Sequence, residues 1–255
     1  MDYANKVVVI TGGANGIGLC IAREFAAKKS KIAIIDMDGN ALLNAVKELQ
    51  KCGTQVISYE GDISEENVLI EFAGLVIKTY GHVDYLINNA CLNKKGILSG
   101  CSYDEFNYVF KVGVTAPYML SLLFYDYFNI NGVIINIASI RAFMSQKDNE
   151  SYAATKGGII SLTHALAISL AGKVRVNSIS PGWIDTSKNP TAHSLPDRLQ
   201  HPVQRIGKPS DIAQAVLFLC NDENGFITGE NINIDGGMTK LMIFHNENGW
   251  LYKEE

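Results

Sequence analysis

The chain has 255 residues, 47% of them hydrophobic, and a formal net charge of −4. That length is within reach of one α/β domain, no Pro-, Gly- or Ser-rich linker divides it, and the acidic balance leaves no basic footprint for nucleic acid. No uninterrupted apolar run approaches the roughly 20 residues that cross a bilayer, the start MDYANKVVVITGG lacks a signal-peptide pattern, and five cysteines without a CxxC pair suit a reduced cytosol. One cytoplasmic domain over 1–255, without a membrane or nucleic-acid partner, is therefore the expectation.

Aliphatic runs and helical patterns alternate along the chain. KVVVIT is followed by a helix over about 16–29, KIAIID by one over 39–52, and QVISYE by one over 64–80. VDYLIN then precedes a long helical stretch at 103–129, GVIINIA a helix at 151–171, and VRVNSI one at 209–221, before a last strand NINID. Near-continuous aliphatic strands suit a sheet buried on both faces. Alternation of this kind predicts an α/β fold: a Rossmann-type, doubly wound parallel sheet of about seven strands with helices on both faces. Ligands of such sheets bind beyond the carboxyl ends of the strands.

The first strand runs into TGGANGIG, Thr11 to Gly18, directly before a helix. Gly12, Gly16 and Gly18 allow a sharp turn, close approach of a pyrophosphate and tight helix packing, while the helix N-terminus favours an anion. Asn15 and Ile17 lie between them and join the candidate cofactor-binding set; a glycine-rich turn without a ligand is the competing reading. Asp36 ends the second strand, where a dinucleotide fold places its ribose-binding carboxylate. It would repel a 2′-phosphate, and neither Asn15 nor Met37 supplies a cation, which favours NAD(H) over NADP(H). Alternatively Asp36 only starts the turn DMDGN.

Tyr152 and Lys156 stand four apart in SYAATKGG, with Ser139 upstream in NIAS at the end of a strand. Four residues place phenol and ammonium on one helix face. A nearby cation lowers a phenol's pKa from near ~10 and would let Tyr152 exchange protons at neutral pH. A solvated Tyr/Lys pair has the same spacing.

The glycine cluster, Asp36, GDIS at 61–64, NNA at 88–90, Ser139, YAATK and PGWIDT at 181–186 together resemble the short-chain dehydrogenases/reductases, from about Lys6 to Met238. The resemblance implies hydride transfer between a nicotinamide and an alcohol or carbonyl. It makes Tyr152 the acid/base, Ser139 a hydrogen-bond donor to the substrate oxygen, and Lys156 the residue that holds the nicotinamide ribose and lowers the Tyr152 pKa. By the same resemblance Asp62 meets the adenine, Asn89 the ribose region, and Ile184 and Thr186 the carboxamide, while Ile63 joins the cofactor-binding set. Bland readings accompany these: Asp62 and Ser64 as starters of the helix at EENVLIEF, with Ser64 read as its cap, Asn88 and Asn89 as structural amides, and Asn177 as structural. The five histidines show no metal-ligand spacing, so no metal is expected.

Two positions depart from the family pattern. NNAG becomes NNAC, and Cys91 is read as a small buried residue. The family's catalytic asparagine is replaced by Gly113 in FKVGVTAPY. Pro117, four residues on, cannot donate to the carbonyl of residue 113, so the pair is expected to keep a helix distortion and a backbone-held water relay.

Substrate choice is assigned to about 186–205, and the tail 239–255, with Phe244, Trp250 and Tyr252, to a neighbouring subunit or a cover over a site, the competing reading being that these aromatics cover the protein's own surface. The resulting expectation is an NAD(H)-dependent alcohol dehydrogenase or ketone reductase, a homo-oligomer (tetramer or dimer), acting on a hydroxysteroid or bile acid, a sugar or polyol, or a 3-oxoacyl compound. The rival is a cofactor-binding regulator or scaffold that has lost turnover.

Overall fold

The computed structural model describes residues 3–187, 193–247 and 251. Seven parallel strands form one sheet in the order β3-β2-β1-β4-β5-β6-β7. They are β1 (Val7–Thr11), β2 (Lys31–Asp36), β3 (Val56–Glu60), β4 (Val83–Asn88), β5 (Phe128–Ile137), β6 (Val174–Pro181) and β7 (Asn231–Ile234). The order reverses between β1 and β4, which opens a crevice at their carboxyl ends. This is the Rossmann-type architecture that the alternation predicts.

Period-two alternation divides the core. Val8 and Ile10 of β1 enter one apolar cluster with α1 (Gly16–Ala27), α2 (Gly39–Gln50) and α8 (Pro209–Cys220). Val7 and Val9 point the other way, toward α3 (Glu66–Tyr80), α5 (Ala116–Phe124) and α6 (Glu150–Ser169). Phe25, Phe72 and Phe124 are fully buried, and each such ring contributes about 1.5–3 kcal/mol relative to exposure.

The stretch 103–129 differs most from expectation. It divides into α4 (Tyr103–Phe110), a π-helical turn at Lys111–Thr115, α5, and a 3-10 turn at Tyr125–Tyr127, and β5 already begins at Phe128. Phe128 is buried against the core and pairs with Val83, while Asn131 takes a left-handed φ of 66°; a short irregular strand start thus replaces the last helical turn. The continuous helix Tyr103–Tyr127 has a mean hydropathy of 1.2 in its most apolar window, long and apolar enough to cross a membrane, which a search for uninterrupted apolar runs misses. Its inner side, Val112, Ala116, Leu120 and Phe124, packs in the core.

Helix ends follow local chemistry. Ser102 and Glu105 form a reciprocal capping box at α4. Ser194 and Asp197 do the same for a short helix, α7 (Leu195–Leu199), that hydrophobic periodicity is too brief to reveal. Ser64 does not cap α3: the helix starts at Glu66 behind Glu65, and the Ser64 N–H instead donates to Asp62 at 2.9 Å.

Candidate active site

The glycine loop lies at the β1/β4 crevice. Gly12 has φ 63° and Gly16 φ 53°, values that side chains resist, and a Cβ on Gly18 would stand 2.1 Å from the Gly12 carbonyl oxygen. Asn15 gives α1 no side-chain cap, so the first-turn N–H groups of α1 remain available to an anion. A cavity of about 330 Å³ adjoins this loop and is lined by Asn15, Ile17, Asp36, Asp62, Ile63 and Asn89, among others. Backbone donors at a helix start, absent side chains and carboxylates farther along suit a dinucleotide.

Several lining residues also hold the loop in shape. Asp36 Oδ2 accepts from the Ala14 N–H at 3.0 Å and Oδ1 from Asp38 N–H at 3.2 Å, so this carboxylate ties the glycine loop to the turn that follows β2. None of the described lining residues is Lys or Arg. Asn89 Nδ2 donates to the carbonyls of Thr11 and Gly12 at 3.0 and 3.1 Å, which commits its amide to the glycine loop. Asn88 begins a buried chain in which it donates to Asn136, and Asn136 to Thr163. Asn177 is likewise structural, bridging Ile227 and Glu230.

Tyr108 is a groove residue that sequence reasoning missed. Its hydroxyl donates to Asp62 Oδ2 at 2.6 Å. Burial opposes ionisation of Asp62, but the bonds from Tyr108 and Ser64 outweigh it and hold the carboxyl below its usual range.

Ser139, Tyr152 and Lys156 converge. Ser139 follows β5 and caps a 3-10 turn (Ile140–Ala142), Tyr152 and Lys156 lie in the first turns of α6, and the Ser139 hydroxyl lies near enough to Tyr152 to favour its ionised form. Lys156 Nζ lies 5.4 Å from the Tyr152 ring centre and donates to the Ile137 carbonyl at 2.7 Å. Burial pushes the Lys156 ammonium down. Burial also pushes the Tyr152 phenol up, reinforced by Cys91, while Ser139 and Arg141 pull it down. The expected depression by Lys156 is therefore not found, because desolvation dominates and the opposing cation is Arg141, whose Cζ lies 5.6 Å from the ring centre. Cys91 is exposed rather than buried; it lines the groove, where losing glycine puts a thiol in the neighbourhood of Tyr152.

Gly113 is at the middle of the π turn, and Pro117 is the second residue of α5. The expected distortion is present: the turn inserts a residue into the helical ladder, and Pro117 withholds the N–H that would close it. A Cβ at Gly113 would come within 2.1 Å of Thr155 Cγ2, so a methyl from α6 fills the place of a side chain there. Ser151 Oγ and Thr155 Oγ1, on the same helix, are buried without a protein hydrogen-bond partner.

Thr186 lines the groove and approaches Gly16, whose Cβ would stand 3.3 Å from Thr186 Cγ2. Ile184 packs against the core, bridges to Gly207 and faces a separate small cavity. His193 bonds Asp185 at 2.8 Å beside Trp183, and with Ser187 helps hold the Asp185 carboxyl down at about 2. Phe244 is exposed; Trp250, Tyr252 and 188–192 of the substrate loop lie outside the described residues. Among the described residues no three His, Cys, Asp or Glu side chains converge as a metal site.

Comparison with known proteins agrees with this geometry. A family model described as enoyl-(acyl carrier protein) reductase matches residues 12–239. An uncharacterized oxidoreductase of Thermotoga maritima is 42% identical, over 94% of this chain and 98% of its own. The 3-oxoacyl-[acyl-carrier-protein] reductase FabG of the same organism is 31% identical, over 93% and 99%. An apo SCOR enzyme from Clostridium thermocellum superposes with a TM-score of 0.89 at 42% identity, covering 98% of this chain and 100% of that one. Other solved neighbours hold NAD+, as in a xylitol dehydrogenase, or NADP, as in a short chain dehydrogenase from Burkholderia cenocepacia. With the seven-stranded sheet, the glycine loop and the serine, tyrosine and lysine at one strand end, the chain belongs to the short-chain dehydrogenase/reductase family of oxidoreductases.

Proposed function

We propose that this protein is an NAD(H)-dependent oxidoreductase that moves a hydride between nicotinamide and a secondary alcohol or ketone, with Tyr152 as acid/base. The observation that carries the reading is the convergence of Ser139, Tyr152 and Lys156 beside a groove whose glycine loop suits a pyrophosphate. When bound, the nicotinamide supplies or accepts the hydride. Ser139 orients the substrate oxygen through its hydroxyl, and Tyr152 gives that oxygen a proton in reduction or takes it in oxidation. With the cofactor bound, Lys156 and Tyr152 would hold the nicotinamide ribose, Asp62 and Ile63 would border the adenine, and Thr186, with Ile184 acting through its backbone, would orient the carboxamide. Protons reach Lys156 by water held on the π-turn backbone, with Ser151 and Thr155 as adjacent hydroxyls. Asp36 and the absence of Lys or Arg among the described groove residues support NAD(H) over NADP(H).

The substrate is placed among hydroxysteroids, sugars or polyols and 3-oxoacyl compounds. Exposed Tyr118, Leu122 and Tyr125 on the α5 side support a homo-oligomer, and five free thiols support a reduced, cytoplasmic setting. The test is NADH absorbance over a panel of alcohols and ketones, with Tyr152→Phe as control. Turnover that collapses in the variant supports the reading. Cofactor binding with no turnover across the panel would favour a regulator or scaffold instead.

A further inference from the structure

Arg141 brings a positive charge to the catalytic tyrosine without an acidic partner. Its guanidinium is half-buried two residues after Ser139, on the loop beyond the carboxyl end of β5. Nη1 donates to Asn149 Oδ1 at 2.7 Å and Nη2 to Gln146 Oε1. Both partners are neutral amides, which fix the plane of the guanidinium and leave its charge intact. A guanidinium carries five N–H donors, so further donors remain for another acceptor. Among the described residues no carboxylate forms an ion pair with it.

The neighbouring acids are turned elsewhere. Asp148 accepts from the N–H groups of Leu98 and Ser99, and Glu150 from that of Ile97, so both are committed to one external loop. Asn149 precedes the first turn of α6, and because its Oδ1 meets Arg141 it gives that helix no cap. The positive end of the α6 dipole and the guanidinium thus lie together beside Tyr152. Glu150 stands in the first turn of α6 and offsets that dipole, so it is the guanidinium, with no carboxylate paired to it among the described residues, that an anion would match. The exposed side chains of Phe143 and Met144 follow directly and offer apolar contact for the rest of a small molecule.

Resting on the hydride-transfer reading above, we infer that the substrate is a hydroxy acid or its oxo-acid counterpart, whose carboxylate is received by Arg141 while its carbinol or carbonyl oxygen faces Ser139 and Tyr152. A carboxylate takes paired N–H bonds from a guanidinium, and a planar fork already held by two amides is pre-organised for it. Arg141 is then the specificity-determining residue of this site.

The experiment compares acids with their neutral amides: acetoacetate against acetoacetamide, and levulinate against levulinamide, in NADH oxidation by the full-length protein. Wild type is expected to prefer each acid in kcat/KM by about 10- to 100-fold, the range of a charge-assisted pair at a partly desolvated site. In Arg141→Gln the acid-to-amide ratio should fall toward one, while Arg141→Lys should retain part of it. The ratio cancels any effect of Arg141 on Tyr152, which both compounds share. NADH binding by each variant confirms that the fold is intact. Turnover of both compounds with equal efficiency, or a preference that survives in Arg141→Gln, would overturn the inference and leave hydride transfer standing. Silence on all four compounds together with activity on neutral alcohols would overturn it as well. Silence on these and on the whole alcohol and ketone panel would remove hydride transfer and this inference together.

Discussion

Filling Gly113 tests how the site tolerates the loss of a side chain that the family pattern places there. Gly113→Ala puts a Cβ 2.1 Å from Thr155 Cγ2, far inside the roughly 3.5–4.0 Å contact distance of carbon atoms. Thr155 is 2% exposed and its β-branched side chain has few rotamers, so the methyl cannot swing into solvent. Overpacking of this kind costs about 1–3 kcal/mol. Alanine regains about 0.5–1 kcal/mol of helix propensity over glycine. The net expectation is a loss of up to about 2.5 kcal/mol, by subtraction of those two ranges. Thr155→Ser deletes the clashing methyl and by itself costs about 0.5–1.5 kcal/mol, as other buried methyl deletions do. In that background Gly113→Ala should become neutral or stabilising, giving a coupling of about 1–3 kcal/mol. Urea unfolding of the four proteins at one fixed protein concentration measures the cycle. An identical cost of Gly113→Ala in both backgrounds would refute the claim that the Thr155 methyl occupies the missing side chain's place.

Other expectations concern the groove and the proton. Asp36→Asn keeps an acceptor for the Ala14 N–H but removes the charge, so the kcat/KM ratio of NADH to NADPH should fall by about fivefold or more, since a repulsion of about 1 kcal/mol or more on a phosphate is removed. An unchanged ratio would mean that Asp36 serves the loop alone. Cys91→Gly takes away a contact that keeps the Tyr152 phenol protonated. With its pKa lowered, the phenolate forms at lower pH, and the acid limb of alcohol oxidation should move down; an unmoved limb would deny the contact a role. Pro117→Ala restores an N–H to the helix after the π turn, and turnover should fall or change its pH dependence. If both stayed the same, the Gly113 and Pro117 backbone would have no part in the relay.

The fold was legible because its strands are near-continuous aliphatic runs with turn residues at their ends, as Val7–Thr11 and Lys31–Asp36 are. Phe128 broke that rule: alone before two asparagines it reads as a helix end, and only its pairing with Val83 makes it a strand. The glycine loop and the Tyr152/Lys156 spacing are local patterns and could be read directly. Tyr108 on Asp62 and Arg141 over Tyr152 join distant or irregular segments, so no spacing announces them. Cys91 was visible as a departure, yet its direction was not, because a side chain at a strand end can turn inward or toward the groove. Ser64 had the composition of a cap, but its hydroxyl turns to the Glu65 carboxylate and the helix begins later, at Glu66. The SLPD capping box of α7 was present in the sequence and went unread because the helix behind it has only five residues.

In the proposed reaction hydride passes between nicotinamide and a substrate carbon while Tyr152 exchanges the proton. It is tested most directly with NADH deuterated at the transferable position, supplied to wild type and to Tyr152→Phe with a ketone that wild type reduces. The account predicts deuterium on the carbinol carbon of the product in wild type, and a loss of turnover of at least about 100-fold in the variant, as removal of a general acid entails, while NADH binding persists. A product without deuterium, or a Tyr152→Phe protein that reduces the ketone as fast as wild type, would contradict it.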